Sequence, residues 1–298
     1  MNLALTILVE GLGYASYLFI VSLGLTIIFG VLKILNVAHG AFYAWGAYSC
    51  AFLIGELSTM GVSDLGTMIA IPIAALVVGV VLGSAIERTI IRNLYGRDEV
   101  IIVLATFGLF LVLEDVILLV FGVDPYFAFQ PTLAMPGVQI GGIYQDGYKL
   151  TMIALSLVVG LISWIVLNRT HWGKLVSAII FDSELAVAMG VNVRRVFYVV
   201  FVAGAVLGAL GGAYIAPTIS VSPGFGVEVI VLSFAVVVIG GMGSIGGAAI
   251  GALMVGLLRA YAVLQWPEIE LFVVYAVMAA VLIFRPEGLF APAKARKI

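Results

Sequence analysis

The feature that most constrains this chain is a succession of apolar runs, each about 20 residues long, separated by short polar breaks. A run of that length crosses a bilayer as one helix, because backbone polar groups in hydrocarbon must be bonded within the segment. Of 298 residues, 63% are hydrophobic and 10% charged, against about 25% charged in a soluble domain. A buried core alone does not account for that shortfall. The expected fold is all-α, a polytopic transmembrane helical bundle with a short cytoplasmic coupling helix. At about 20 residues a span the chain holds about 8–9 spans, in a single domain over residues 1–298. The spans are read at 3–32, 36–57, 67–86, 100–121, 150–167, 196–215, 227–239, 248–264 and 271–284. The opening MNLALTILVEG has no basic n-region, so the first run is read as a retained span. Cys50 is the one cysteine. It excludes an intrachain disulfide and, in an apolar run, reads as a packing residue rather than a reactive thiol.

The most informative break is residues 168–195, NRTHWGKLVSAIIFDSELAVAMGVNVRR. A short helix is legible inside it. Asp182 suits an N-cap, accepting from the first free backbone N–H groups. Glu184 lies in the first turn, where the helix dipole favours an anion. Ala186, Ala188 and Met189 favour helix, and Gly190 supplies the left-handed turn that ends it. A membrane chain that presents a small, mostly apolar helix on a basic loop is built to receive a push from a soluble partner.

Lysine and arginine set the expected orientation. With the N-terminus outside, Lys33, Arg88, Arg92, Arg97, Arg169, Lys174, Arg194, Arg195, Arg285, Lys294, Arg296 and Lys297 fall on the cytoplasmic side. Only Lys149 and Arg259 do not. Asp64, Asp124, Asp146, Glu268 and Glu270 occupy the opposite loops. The 168–195 loop and the C-terminus are then cytoplasmic, and the Pro-rich loop 122–148 faces out.

Candidate chemistry is sparse. Gly173-Lys174 is followed by Leu175, and Asn168 stands where a phosphate loop needs its first glycine, so no nucleotide site is read. His39 and His171 are unsupported by cysteine at metal-ligand spacing. Cofactors are expected only in partner subunits. Intramembrane charges need a purpose or a partner. Glu114 and Asp115 lie about 100° apart on a helix and do not share a narrow groove. Glu114 reads either as a pathway group or as a carboxylate satisfied near the outer interface, by Arg259 or by backbone. Glu228 reads as a helix-start anion, and Arg259 as snorkelling outward or paired inside the bundle. Asn36 and His39 are read on one helix face at the start of span two, as a polar notch or as a cap with an interfacial histidine. Tyr43, Trp45 and Tyr48 follow them as path-lining or interfacial aromatics. Gly204, Gly208 and Gly212, like Gly247 and Gly251, recur every four residues and suit close helix packing. The SPGFG and GGMGSIGG breaks, with Ser222, Gly240 and Gly243, are irregular backbone at membrane depth and mark a cavity or gate.

Several strings together resemble the permease subunits of ATP-binding-cassette importers for branched-chain amino acids, of the LivH type. They are LGLTIIFGVLKILNVAHGAFYAWGAY, ELAVAMGVNVRRV, Ser222-Pro223, GGMGSIGGAAIGAL at 240–253 and LIFRPEGLF at 282–290. The resemblance implies a coupling helix carried by Glu184, Ala186 and Gly190 that docks in a groove of the ATPase. It also implies two ATPase subunits that bind ATP, a second permease (a LivM-like partner or a second copy), a periplasmic binding protein and a bacterial inner membrane, with no nucleic acid. Close relatives carry urea, short amides or aromatic acids as well. Two departures stand out. Leu185 replaces an alanine, adjusting the docking surface, and Gly246 replaces a proline, making the loop between spans seven and eight more flexible. The competing readings are a stand-alone channel or ion-coupled carrier using Glu114 and Asp115, and an intramembrane enzyme resting on the carboxylates alone.

Overall fold

The computed structural model describes residues 2–140, 142–285 and 288–290. Twelve helices and one hairpin follow in order. They are α1 Asn2–Leu32, α2 His39–Thr59, α3 Gly66–Leu94, α4 Glu99–Phe121 and the short α5 Gln130–Ala134. The hairpin pairs β1 Val138–Ile140 with β2 Ile143–Gln145. Then come α6 Gly147–Arg169, α7 His171–Phe181, α8 Ser183–Ala188, α9 Val193–Ile215, α10 Phe225–Gly240, α11 Ile245–Gln265 and α12 Glu270–Phe284. Six are long and apolar enough to cross a membrane: α1, α3, α4, α6, α9 and α11. The others that take the place of an expected span are α2, α10 and α12. At 16 residues, α10 is only about 24 Å long, short of the roughly 30 Å hydrocarbon core.

Successive long helices alternate in direction, which gives the bundle a basic end and an acidic end. Lys33, Arg97, Arg169, Arg194 and Arg285 lie at or beside helix ends on the first. Helix α1 is the hub, packing on α6, α9, α10 and α11. Its most apolar stretch is 83% buried, against 17% for the peripheral α6. Small residues permit the closest crossings, as the glycine spacing predicts. A Cβ on Gly212 of α9 would strike the Tyr43 carbonyl, and one on Gly46 the Ala209 carbonyl.

Three expectations are corrected. First, the chain does not turn at Arg88 and Arg92. Helix α3 continues through a wider turn at Glu87–Ile91 to Leu94, leaving Arg97 in the connection. Second, Asn36 does not share a helix face with His39. Lys33 takes a left-handed φ of 57° and stops α1, and residues 33–36 run without helix, exposed at Lys33 and entering the interior from Ile34. Ile34, Asn36 and Ala38 are buried there. Thr106 of α4 holds this link, its hydroxyl accepting from the Val37 N–H at 3.2 Å. So α2 begins at the depth where the His39 ring meets Gly24 of α1 and Gly208 of α9. Third, Gly246 does not lie in the loop between spans seven and eight. That loop is only residues 241–244, turned by Gly241 and Gly243 at φ 100° and 88°. Ser244 caps α11 by accepting from the Gly247 N–H at 3.1 Å, which places Gly246 in the helix's first turn.

The end of the LIFRPEGLF string has a structural task. The N–H groups of Leu289 and Phe290 donate to the carbonyls of Ile239 and Gly240 at 2.9 and 3.0 Å. They satisfy acceptors that the end of α10 leaves open. Pro286 and Glu287 of that string, and Lys294, Arg296 and Lys297 of the tail, lie outside the described residues.

Candidate functional site

At the basic end, α8 is bounded as its residues predict. Asp182 Oδ1 accepts from the Leu185 N–H at 2.9 Å. At the other end, Val191 N–H donates to Ala186 O and Gly190 N–H to Val187 O, at 3.0 and 2.9 Å. With Gly190 at φ 84°, this is a complete left-handed helix stop. Of the residues named for coupling, Ala186 anchors the helix inward, 3% exposed. Met189 faces out with Leu185 and Val187, at 76%, 57% and 59%. Asp182, Glu184 and Gly190 are also exposed. These apolar side chains are exposed on a six-residue helix and contribute nothing to the core.

The preceding helix α7 was not legible as a separate element. Its signal was Thr170, whose hydroxyl accepts from the Gly173 N–H at 3.4 Å. Between α7, α8 and the end of α1 lies a cavity of about 510 Å³ lined by Val31, Lys33, Tyr95, Ile180, Asp182 and Glu184, among others. Burial pushes the Tyr95 phenol well up, and the adjacent Glu87 carboxylate adds to the shift. The phenol therefore remains a donor to Glu87 Oε1, at 3.0 Å.

The residues named for a solute path separate into two groups. His39, Tyr43 and Glu114 surround the start of α10 or the buried link that leads to α2. The Tyr43 and Phe225 rings lie 5.0 Å apart. Glu114 Oε1 would be 2.6 Å from a Cβ on Gly226, so the carboxylate sits against the first turn of α10, which no side chain of its own caps. Glu114 Oε1 is buried without a hydrogen-bond partner, and it lies at a helix N-terminus, whose dipole favours an anion. Asp115, its neighbour, points away and is exposed. His39 Nε2 lies 3.0 Å from the Val21 carbonyl, and the Asn36 side-chain amide is buried with neither atom bonded. Ser222 is half-buried beside Val221, whose backbone pairs with Tyr126. Gly240 and Gly243 lie at the far, basic end. Gly240 packs on Gly247, and Gly243 on Gly30 of α1.

A second polar assembly occupies the acidic end. Arg259 of α11 lies 3.3 Å from Glu270 and 3.6 Å from Glu228, with its guanidinium 3.9 Å above the Tyr14 ring. Lys149 pairs with Glu10 at 2.6 Å. Both cations line one cavity of about 560 Å³. They are the two basic residues that break the orientation pattern, and that breach was the signal in the sequence.

Comparison with known proteins follows the same lines. The family described as "Branched-chain amino acid transport system / permease component" matches residues 7–282. The chain belongs to that family. A permease of this kind from Pseudomonas aeruginosa, the high-affinity branched-chain amino acid transport system permease protein BraD, is 27% identical across 98% of this chain and 97% of its own. The Escherichia coli K12 permease protein LivH is 25% identical across 97% and 96%. The solved structure of PsaBC from Streptococcus pneumoniae in complex with Fab matches the fold with a TM-score of 0.50 at 15% identity, over 97% of this permease and 92% of that chain.

Proposed function

We propose that this chain is the membrane subunit of an ATP-binding-cassette importer that moves branched-chain amino acids across the bacterial inner membrane by alternating access. The observation that carries the reading is α8, a rigidly capped helix with a bare apolar face at the basic end of the bundle. Family membership supports the transport role. The basic end is cytoplasmic, by the bias of lysine and arginine. There α8 docks on an ATPase subunit through Leu185, Val187 and Met189. The cavity between α8 and the end of α1 gives that helix room to move. Its displacement reaches Lys33 and the buried 33–38 link, and through His39 the paired starts of α2 and α10.

The chain itself binds no ATP and catalyses nothing, and two ATPase subunits supply the work. A second permease subunit covers the outer face of α4. That face is apolar at Leu104, Leu111 and Val112 yet carries exposed Asp115, a charge that lipid accommodates poorly. A periplasmic binding protein delivers solute to the loops 122–148 and 216–226.

The test is uptake by proteoliposomes. Leucine accumulation is expected only with ATPase subunits, binding protein and ATP all present. ATP-independent flux through the permease subunits alone would overturn the reading in favour of a channel or carrier.

A further inference from the structure

The polar cavity at the acidic end has a composition that selects a ligand class. Its charged lining is Lys149 and Arg259 against Glu10, Asp146 and Glu270, and Glu228 adds a further carboxylate beside Arg259. Asp146 is partly committed, accepting from the Tyr148 N–H at 2.9 Å. The remaining wall includes Met152, Ile215, Val263 and Leu264. At about 560 Å³, it lies within the usual range for small-molecule sites. Two cations and an excess of carboxylates, beside an aliphatic wall, offer partners for both ends of a small zwitterion with an apolar side chain.

We propose that this cavity is an entry site for a zwitterionic aliphatic α-amino acid within the permease itself. The proposal rests on the transport reading above and adds to it a location and a selectivity. The ligand's carboxylate takes the place of a glutamate beside Arg259 or Lys149, and its ammonium takes the released glutamate. Each ion pair that opens is replaced by another, so none of these half-buried charges is left alone. A carboxylic acid without the amine adds an anion to a lining that is already net acidic. An amine without the carboxylate meets the surplus carboxylates but makes no use of Arg259 or Lys149.

Position supports the assignment. Thr218, exposed just beyond α9, lines the mouth of the cavity, and Glu228 joins the cavity to the first turn of α10.

The experiment uses the whole importer in nanodiscs carrying Thr218→Cys. The native Cys50 is buried and stays silent to a membrane-impermeant maleimide. L-Leucine is expected to slow labelling at position 218 severalfold. 4-Methylpentanoate, which keeps the skeleton but loses the ammonium, is expected to leave it unchanged, and 3-methylbutylamine, which loses the carboxylate, to slow it less than leucine does. Tyr144→Cys, in the exposed hairpin, reports any global change and is expected to label equally in all conditions. Lys149→Gln and Arg259→Gln should abolish protection in separate preparations. The analogue series tests the site even where a variant fails to insert. Protection by 4-methylpentanoate equal to that by leucine overturns the proposal. So does protection that requires the binding protein and is the same whether that protein is loaded or empty, which assigns the cavity to a protein contact. Absence of protection while the wild-type complex accumulates leucine overturns the site and leaves the transport reading standing. Absence of both overturns the two together.

Discussion

Replacing Asp182 by alanine removes the one side chain that closes the start of α8. Its Oδ1 bond to the Leu185 N–H, 2.9 Å long, satisfies a donor that a six-residue helix cannot satisfy internally. Helices this short are not stable by propensity, so the segment depends on its two ends and on buried Ala186. Loss of an N-cap costs about 1 kcal/mol, which raises the open population of the segment by roughly fivefold. Hydrogen–deuterium exchange of the amides at 183–190 should accelerate by about that factor, while those in α9 and α11 do not change. Asp182→Asn keeps the acceptor and should hold exchange close to the wild-type rate, because asparagine caps as well as aspartate. Exchange at 183–190 unchanged in the alanine variant, or equally fast in both variants, refutes the reasoning. Coupled ATP hydrolysis should fall in the alanine variant in proportion to the loosened helix.

Other perturbations reach different parts of the fold. Gly212→Val drives a side chain into the Tyr43 backbone and should lower stability by at least about 1–3 kcal/mol, read as a falling Tm in detergent. Gly55, where an added Cβ would meet nothing within 4 Å, should accept alanine without that loss. Gly246→Ala fills open space in the first turn of α11 and should raise stability by about 0.5–1 kcal/mol; a lower Tm would show that the turn needs glycine. Glu114→Ala removes the carboxylate from the start of α10 and should cost about 0.3–1 kcal/mol, seen as faster exchange at 225–228. Glu114→Gln keeps the shape and loses the charge, so it should accelerate exchange there as the alanine variant does.

Much of this architecture was legible from residues alone, and the limits have physical causes. The long spans follow from apolar length, and α8 from a cap at Asp182 and a left-handed stop at Gly190, because those residue types have few other uses in a helix boundary. The buried 33–38 link was not legible. Its residues read as part of the runs on either side, and its hydrogen bond comes from Thr106, far away in the sequence. Gly246 was misplaced because a glycine-rich string does not reveal where Ser244 caps the next helix. Helix α3 runs past Arg88 and Arg92 because charge marks the membrane edge, not the end of the helix. The Arg259 cavity was visible only as an exception to the charge rule. Nothing local in the sequence joins Glu10, Lys149, Glu228 and Glu270 to it.

The central claim is that force enters this gate from the cytosol through α8. Met189→Cys places a thiol on the most exposed apolar position of that helix, with Cys50 buried and silent. In reconstituted importer, cross-linking during ATP turnover is predicted to join position 189 to an ATPase subunit. An impermeant thiol reagent applied from outside is predicted to leave it unlabelled. Labelling from outside, or turnover with position 189 joined to no other polypeptide, would contradict the account.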